Sequence, residues 1–435
     1  MILIYHQYNS HRLQYILSTL FQNKFESTNS IETFIAFTGI KINYSNSIID
    51  ANEIQIVPHT LLFENTILPQ TIDCVLWKEL PTFFNTSKNA LIPFDLFAAS
   101  FFLITRYEEY LPHQKDKYGR YAHTNSIAYR HQFLHLPIIH VWLIEFEKIC
   151  QSKNTNFSLA KNNFNFLPTY DIDIAYQYKY HKTIKTMASI VKDIVTLNII
   201  AIKERYQMIM NIIKDPFDVY DWLQQLHNNF KLQPIYFFLV AQQINRYDKN
   251  INVKNIGFKK LVQQIAQQNI IGIHPSWQSN TNDTLLQQEI ITLQNISQQK
   301  IFASRQHYIK LNLPHTFRLL IQQKIYNDYS MGYTTINGFR ASYTLPHYWF
   351  DIEKNAITNL LIHPFCYMDA TAIFEKKLTI AQAQTELQAL YDVVKKVNGT
   401  CIAIFHNHFL TTQKKWKPWR NLHQQFLNKN TVSSN

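Results

Sequence analysis

Glycine and cysteine are both scarce in this chain, with seven and four respectively among 435 residues. Cys74, Cys150, Cys366 and Cys401 follow neither a paired spacing nor a metal-binding pattern. That argues against a disulfide framework and a cysteine-held metal, and for buried thiols in a reducing compartment. The low glycine count accompanies abundant Asn, Gln, Ile and Lys, and reads as the codon bias of an AT-rich genome more than as a structural device. The same bias inflates the formal net charge of +12, from 42 basic against 30 acidic residues. A basic surface favours anionic partners such as membrane headgroups, phosphorylated lipids or nucleic acid. The sequence lacks a nucleic-acid motif and any tight Lys/Arg cluster, so no nucleic-acid partner is expected. No run of about eighteen uninterrupted apolar residues occurs, so no spanning helix is expected. The start, residues 1–6, has neither a basic n-region nor a cleavage site and reads as a first strand, not a signal peptide. Internal repeats are also missing. The expectation is a cytoplasmic protein, with peripheral membrane contact left open.

What is present describes an ordered chain. Apolar residues make up 46% and aromatics 14%, which excludes a disordered protein. The length exceeds what one hydrophobic core usually serves, so two domains are expected. The polar, aperiodic stretch 151–156 marks the boundary, giving an N-terminal α/β domain at 1–160 and a second domain at 161–435. In the first, residues 10–22 read as a helix, and residues 53–57 and 75–77 as short strands. Residues 93–110 read as a largely buried helix with Asp95 near its start and Arg106, Glu108 and Glu109 at its polar end. That end reads as a helix-end ion pair or as a polar face of the cleft. Residues 181–221 form a long insertion with apolar residues on a broad helical stripe. A lid, a membrane-facing element and an ordinary helix with a long loop all fit it. Asp215-Pro216 would stop its first helix, and Asp218 would cap the next.

The most informative feature is Asp171-Ile172-Asp173 at the end of the apolar run 164–170. Side chains at i and i+2 leave a strand on the same face, so both carboxylates share one cleft. Two like charges that close are costly unless a metal or a proton separates them. One acid that binds a metal and one that acts as a base would resolve the conflict; a strand-end pair that caps the next turn is the plainer alternative. Six further strand-like runs follow, at 234–240, 270–277, 301–308, 326–333, 360–365 and 401–408, four of them carrying His or Arg towards their ends. Helix-compatible stretches at 284–300, 316–324 and 379–396 lie between them. Strands alternating with helices read as a parallel α/β barrel or sheet, with polar residues at strand C-terminal ends marking its reactive face.

These residues resemble the polysaccharide deacetylases, the metal-dependent N- and O-deacetylases of carbohydrate esterase family four, over roughly residues 164–415. Residues 169–173 look like the opening motif, in which a general-base Asp, here Asp171, is followed by a metal-ligand Asp, here Asp173. His274 sits where the family has its His-rich metal motif. Residues 339–343 look like the Arg-x-Pro-Tyr motif, with Arg340 as its arginine and Ser342 in place of proline. Residues 404–406 look like the closing Leu-x-His motif, whose histidine, here His406, serves as general acid. The resemblance implies a distorted (β/α)7 barrel. It also departs from the family: a second metal His is usual four residues after the first, and Gln278 stands there. His307, at the end of the next strand, is the candidate replacement. Arg305 is an alternative to Arg340, and Asp328 could match the acid that orients the machinery.

The residue types suit the chemistry. Amide hydrolysis needs an activated water, a polarised carbonyl and a proton for the departing amine. An ion held by one carboxylate and two imidazoles keeps positions open for water and carbonyl oxygen. Asp171 can take the water's proton, and a histidine opposite can deliver one to nitrogen. An arginine paired with Asp171 or Asp328 would hold the carboxylate in place. The expectation is a hydrolase that removes an acetyl group from an N-acetylated sugar, lipid-linked or free. It would use a divalent metal, Zn in the first place with Co, Ni and Mn as alternatives, and no protein partner. A catalytically silent carbohydrate-binding barrel and a hydrolase of a small non-sugar amide remain as alternatives.

Overall fold

The computed structural model describes residues 2–87, 90–159, 162–180, 193–210 and 212–431. The first part of the chain is built on a parallel sheet of β1 (Ile2–His6), β2 (Glu26–Thr28), β3 (Ile40–Tyr44) and β4 (Ile54–Gln55), in the order β2-β1-β3-β4. A small antiparallel hairpin, β5 (Val75–Trp77) and β6 (Leu80–Thr82), follows. The helix His11–Phe21 begins at Ser10, whose hydroxyl accepts the Leu13 N–H. The helix Leu96–Ile104 is buried along its whole length and starts at Asp95, which accepts the N–H groups of Phe97 and Ala98. Such a cap is worth about 1 kcal/mol. This helix is shorter than the stretch 93–110 expected of it. Arg106 adopts φ 58°, breaking the run before the 3-10 turn Tyr107–Tyr110. Its guanidinium is drawn instead to Glu108, Glu109, the Tyr333 hydroxyl and the Arg340 carbonyl.

The second part carries a nine-stranded sheet. In chain order its strands are β7 (Asn165–Ile172), β8 (Ile235–Leu239), β9 (Ile270–His274), β10 (Ala303–Ser304), β11 (Asn327–Asp328), β12 (His347–Asp351), β13 (Ala356–Ile362), β14 (Tyr367–Met368) and β15 (Thr400–His406). Across the sheet the order is β12-β13-β11-β10-β9-β8-β7-β15-β14, parallel except for β12 on β13. The seven strands expected from sequence are β7 to β11, β13 and β15. β12 and β14 were not anticipated.

The expected (β/α)7 barrel needs correction. The strand order is that of a barrel, but among the described residues β13 and β14 do not pair, and the sheet stays open there. Only residues 363–366 separate the two strands, and parallel pairing needs a crossover of about a dozen residues or more. Backbone bonds from Phe365 N–H to the Met331 carbonyl and from Gly338 N–H to the Cys366 carbonyl draw the seam together instead. The sheet therefore curls without closing. Its inner face is apolar at the bottom, with Ile235, Phe237, Ala303, Ile402 and Ile404 in one cluster. Tyr170, Ile172, Tyr236, Phe238, Ala403 and Phe405 point outward beneath the surrounding helices. This period-2 alternation aims Asp171, Asp173 and His406 inward at the top.

Helix starts in this half follow ordinary capping. Thr379 and Gln382 form a capping box at Ile380–Lys396, and Asn282 caps Asp283–Ser297. Asp218 does not cap the next helix, Tyr220–Phe230, which follows Val219 without a side-chain cap. Asp215 is the busier carboxylate, receiving N–H groups from Gln177, Tyr178, Lys179 and Phe217. Of the insertion, residues 181–192 lie outside the described residues. The start of the stripe expected from residue 190 falls among them; residues 193–195 are helical, and a further helix spans Ile199–Ile209. Among the described residues no helix is long and apolar enough to cross a membrane.

The two parts share surface. The apolar cluster of residues 2–157 also takes in Tyr333, Tyr343, Phe350 and Ile352. Arg340 binds Glu109 through two hydrogen bonds of 2.9 and 2.6 Å. Both side chains are buried, and removing one partner of such a pair costs about 3–5 kcal/mol.

Candidate metal and catalytic site

β7, β9, β10 and β15 end on one rim, and the register sets His406 directly beside Asp171. Asp171 is buried, and its Oδ1 accepts a hydrogen bond from Arg305 Nη1 at 2.9 Å. The same guanidinium donates to Thr169 Oγ1 at 2.8 Å and, through Nε, to the Tyr329 carbonyl at 3.0 Å. It lies 4.3 Å from the ring centre of Phe237. That ring needs Gly272: a Cβ there would stand 2.5 Å from Phe237 and 2.9 Å from the Ala303 carbonyl. Glycine on β9 thus leaves room for the aromatic floor under Arg305, and Arg305 fixes the carboxylate of Asp171.

Asp173, His274 and His307 come together, with one potential donor atom from each within 4.8 Å of the others. The Nδ1 of His274 lies 2.5 Å from the Arg305 carbonyl, and that of His307 lies 2.9 Å from Asp248 Oδ1. An Nδ1–H donated to oxygen leaves Nε2 of each ring as a lone-pair donor. These two atoms stand 3.2 and 3.6 Å from Asp173 Oδ1. That oxygen is buried and, among the described residues, has no hydrogen-bond partner. A buried carboxylate oxygen facing two imidazole nitrogens needs a cation or protons between them. Without an ion the rings supply the charge. Burial opposes ionisation of Asp173, yet His307, His274 and His406 hold it well below the usual carboxylate range. Burial likewise lowers His307, but Asp173 and Asp248 carry it up to about 9. One carboxylate and two imidazoles, each oriented by a further oxygen, are a donor set that fits a tetrahedral divalent ion with an open position.

His406 faces this cluster from β15, with Nε2 3.7 Å from Asp173 Oδ2. Its Nδ1 lies 2.6 Å from Asp369 Oδ1, and its backbone N–H donates to Asp369 Oδ2 at 2.8 Å. Burial works against charge on this ring, but Asp369, with help from Asp173 and Asp171, raises it to about 9. A protonated His406 is therefore available at neutral pH. His408 packs against Phe409 and Phe217, and burial together with the neighbouring His406 keeps it neutral, near 3.

Two sequence candidates lie elsewhere. Arg340 is corrected from a catalytic to a structural position: its guanidinium is committed to Glu109 and the Gly332 carbonyl. Asp328, expected as the acid that orients the machinery, accepts from the N–H and Oγ of Ser330 and, among the described residues, forms no ion pair with Arg305 or Arg340. Arg305, not Arg340, meets Asp171. Gln278, four residues past His274, is exposed and joins none of these contacts. Asp248 and Asp369, which orient the two rings, were missed from sequence. Asp248 lies in the loop after β8 and Asp369 directly follows β14, so a search for carboxylates past every strand end would have found the second.

Asp171, Asp173, His274, His307, His406 and His408 line one cavity of about 630 Å³. A larger cavity, about 980 Å³, opens at the opposite ends of β8 to β10 and contains none of these six side chains.

The chain is similar in structure to a protein of Mycobacterium smegmatis described as a polysaccharide deacetylase, at 12% identity and a TM-score of 0.40, over 63% of this chain and 86% of that one. A polysaccharide deacetylase of Bacillus cereus aligns at 10% identity and a TM-score of 0.31, over 62% and 88% of the two chains. A CE4 family pseudoenzyme of Bacillus anthracis aligns at 7% identity and a TM-score of 0.30, over 62% and 63%. In sequence, a model described as a family of unknown function (DUF7033) matches residues 2–155. A search of curated proteins returns no match.

Proposed function

We propose that the chain is a metal-dependent hydrolase that removes the acetyl group from an N-acetylated sugar of a glycan or glycan precursor. The observation that carries this reading is the buried, unpartnered Asp173 Oδ1 facing the Nε2 atoms of His274 and His307, with Asp171 and His406 alongside. Asp173, His274 and His307 would hold a divalent ion, Zn or else Co, Ni or Mn. Such an ion supplies Lewis acidity toward a carbonyl oxygen and acidifies water. Asp171, fixed by Arg305, accepts the proton of the attacking water. His406, held protonated by Asp369, gives a proton to the amide nitrogen as the C–N bond breaks. The alternative of a silent carbohydrate-binding barrel rested on Gln278; His307 supplies the third donor that Gln278 withholds.

The test separates the two acids. Asp173→Ala should abolish retention of metal, whereas Asp171→Asn should keep the metal and lose acetate release from N-acetylglucosamine oligomers. Equal metal loss in both variants would refute the division of labour. A parent protein that binds the oligomers and holds metal without releasing acetate would favour the silent barrel.

A further inference from the structure

The mouth of the same cavity is basic and aromatic on one side. Residues 116–120, from the N-terminal part of the chain, make a tight turn in which the Asp116 carboxylate accepts the N–H groups of Tyr118 and Arg120. Arg120 closes the turn onto Asp116 and bolts it to the Tyr308 carbonyl at 2.6 Å. The charge of Arg120 is thereby matched, while Lys117 and Tyr118 are presented to the cavity. Tyr118 lies 5.5 Å from the ring of Tyr308 and 5.9 Å from that of Trp277. Lys249 enters the cavity one residue after Asp248, whose carboxylate is pinned to His307. Lys310 lies 4.1 Å over the Trp277 ring. Lys310 stands outside the cavity lining and interacts with the charge of Asp248. The nearby carboxylates Asp116 and Asp248 pair with Arg120 and His307, and among the described residues neither Lys117 nor Lys249 has one at ion-pair distance. Deeper in the cavity Asp171 is already matched by Arg305. The opposite wall, with Ala370, Phe374 and Phe409, contributes one acid, Glu375.

Unmatched ammonium groups beside aromatic faces, at the entrance to a centre that would take an acetamide, select for negative charge on the substrate. Resting on the deacetylase reading, we infer that the cavity takes an anionic acetamido sugar. Its phosphate or carboxylate lies against Lys117 and Lys249, and a ring face stacks on Tyr118 or Tyr308, while the acetamide reaches Asp171. The N-terminal part then contributes directly to substrate choice.

The experiment compares N-acetylglucosamine 1-phosphate, N-acetylmuramic acid and neutral N-acetylglucosamine on the metal-loaded full chain, by acetate release and by calorimetric binding to the Asp171→Asn protein. The charged sugars should be preferred in kcat/KM and bind more tightly, and the preference should shrink as salt rises. The phosphate and carboxylate arms identify which anion is favoured. Lys117→Ala and Lys249→Ala, with metal content retained, should each lower the charged-to-neutral ratio of kcat/KM about tenfold, the size of one charge-assisted hydrogen bond. Deacetylation without charge preference, or an unaltered ratio in the double variant, overturns the inference and leaves the deacetylase reading standing. Lysine-dependent binding of a charged sugar with no acetate released from any of them overturns the deacetylase reading and leaves the anion site standing.

Discussion

Asp248→Asn tests the proposed metal centre at a residue that the sequence did not single out. The Asp248 carboxylate meets His307 Nδ1 at 2.9 Å, the Trp277 N–H at 3.0 Å and Asn245 Nδ2 at 2.7 Å. Asparagine has nearly the same shape but carries one acceptor oxygen and an amide donor. If the amide nitrogen turns toward His307, Nδ1 must accept, the proton moves to Nε2, and the lone pair aimed at Asp173 is lost. If the carbonyl stays on His307, the ring keeps its tautomer but loses the negative charge behind it. Outer partners of ligating histidines are worth roughly 10- to 100-fold in metal affinity, about 1.4–2.7 kcal/mol. The measurement is the dissociation constant for Zn and Co, by competition with a chromophoric chelator at fixed pH. Asp248→Asn should bind about 10- to 100-fold more weakly than the parent, and His307→Ala more weakly still. His363→Ala is the control, because that ring is bonded to Asn327 and stacked on Tyr329. If Asp248→Asn and His307→Ala hold metal as tightly as the parent with unaltered thermal unfolding, His307 is no ligand and the centre is wrongly built.

Two further outcomes concern single groups. His406→Gln should depress kcat on an amide strongly with metal content intact, and harm an activated ester much less, since that leaving group needs no proton; an equal fall on both substrates would make His406 a binding or structural residue. Burial raises the Asp328 carboxyl to about 7 from its ordinary 3.8, so its stabilising neutral form is fully present below about pH 4 and lost as pH rises through 7. Asp328→Asn, neutral throughout and still able to accept the Ser330 N–H, should match the parent at pH 4 and exceed it by roughly 1–4 kcal/mol at pH 8 in chemical denaturation; an offset that does not change with pH would show the charge to be compensated.

How much of the fold was legible follows from periodicity. β7, β8, β9 and β15 are largely apolar in a buried parallel sheet, so their runs stand out, and capping residues such as Asn282 and Thr379 mark helices between them. β12 and β14 escaped notice for different reasons. β14 is two residues long, and β12 is an antiparallel edge whose pairing depends on the hairpin with β13. The open seam was hidden too, because the motif resemblance carries a strand count but not the four-residue link at 363–366 that forbids β13 from pairing with β14.

The site divides in the same way. Asp171, Asp173, His274 and His406 end or follow long apolar strands, and a polar side chain there has one place to point. Asp248 and Asp369 bear on the same chemistry without any such mark, because a carboxylate that orients a ring has only to reach its Nδ1 and can come from any loop over the rim. Arg340 shows the converse error. Its motif context resembled a catalytic arginine, yet its buried guanidinium is matched to Glu109, 231 positions earlier, while Arg305 occupies the place beside Asp171. A buried guanidinium goes to whichever carboxylate the packing brings within about 3 Å. For Arg340 that partner comes from the N-terminal part of the chain, so the error could be recognised only once the two parts were seen packed together.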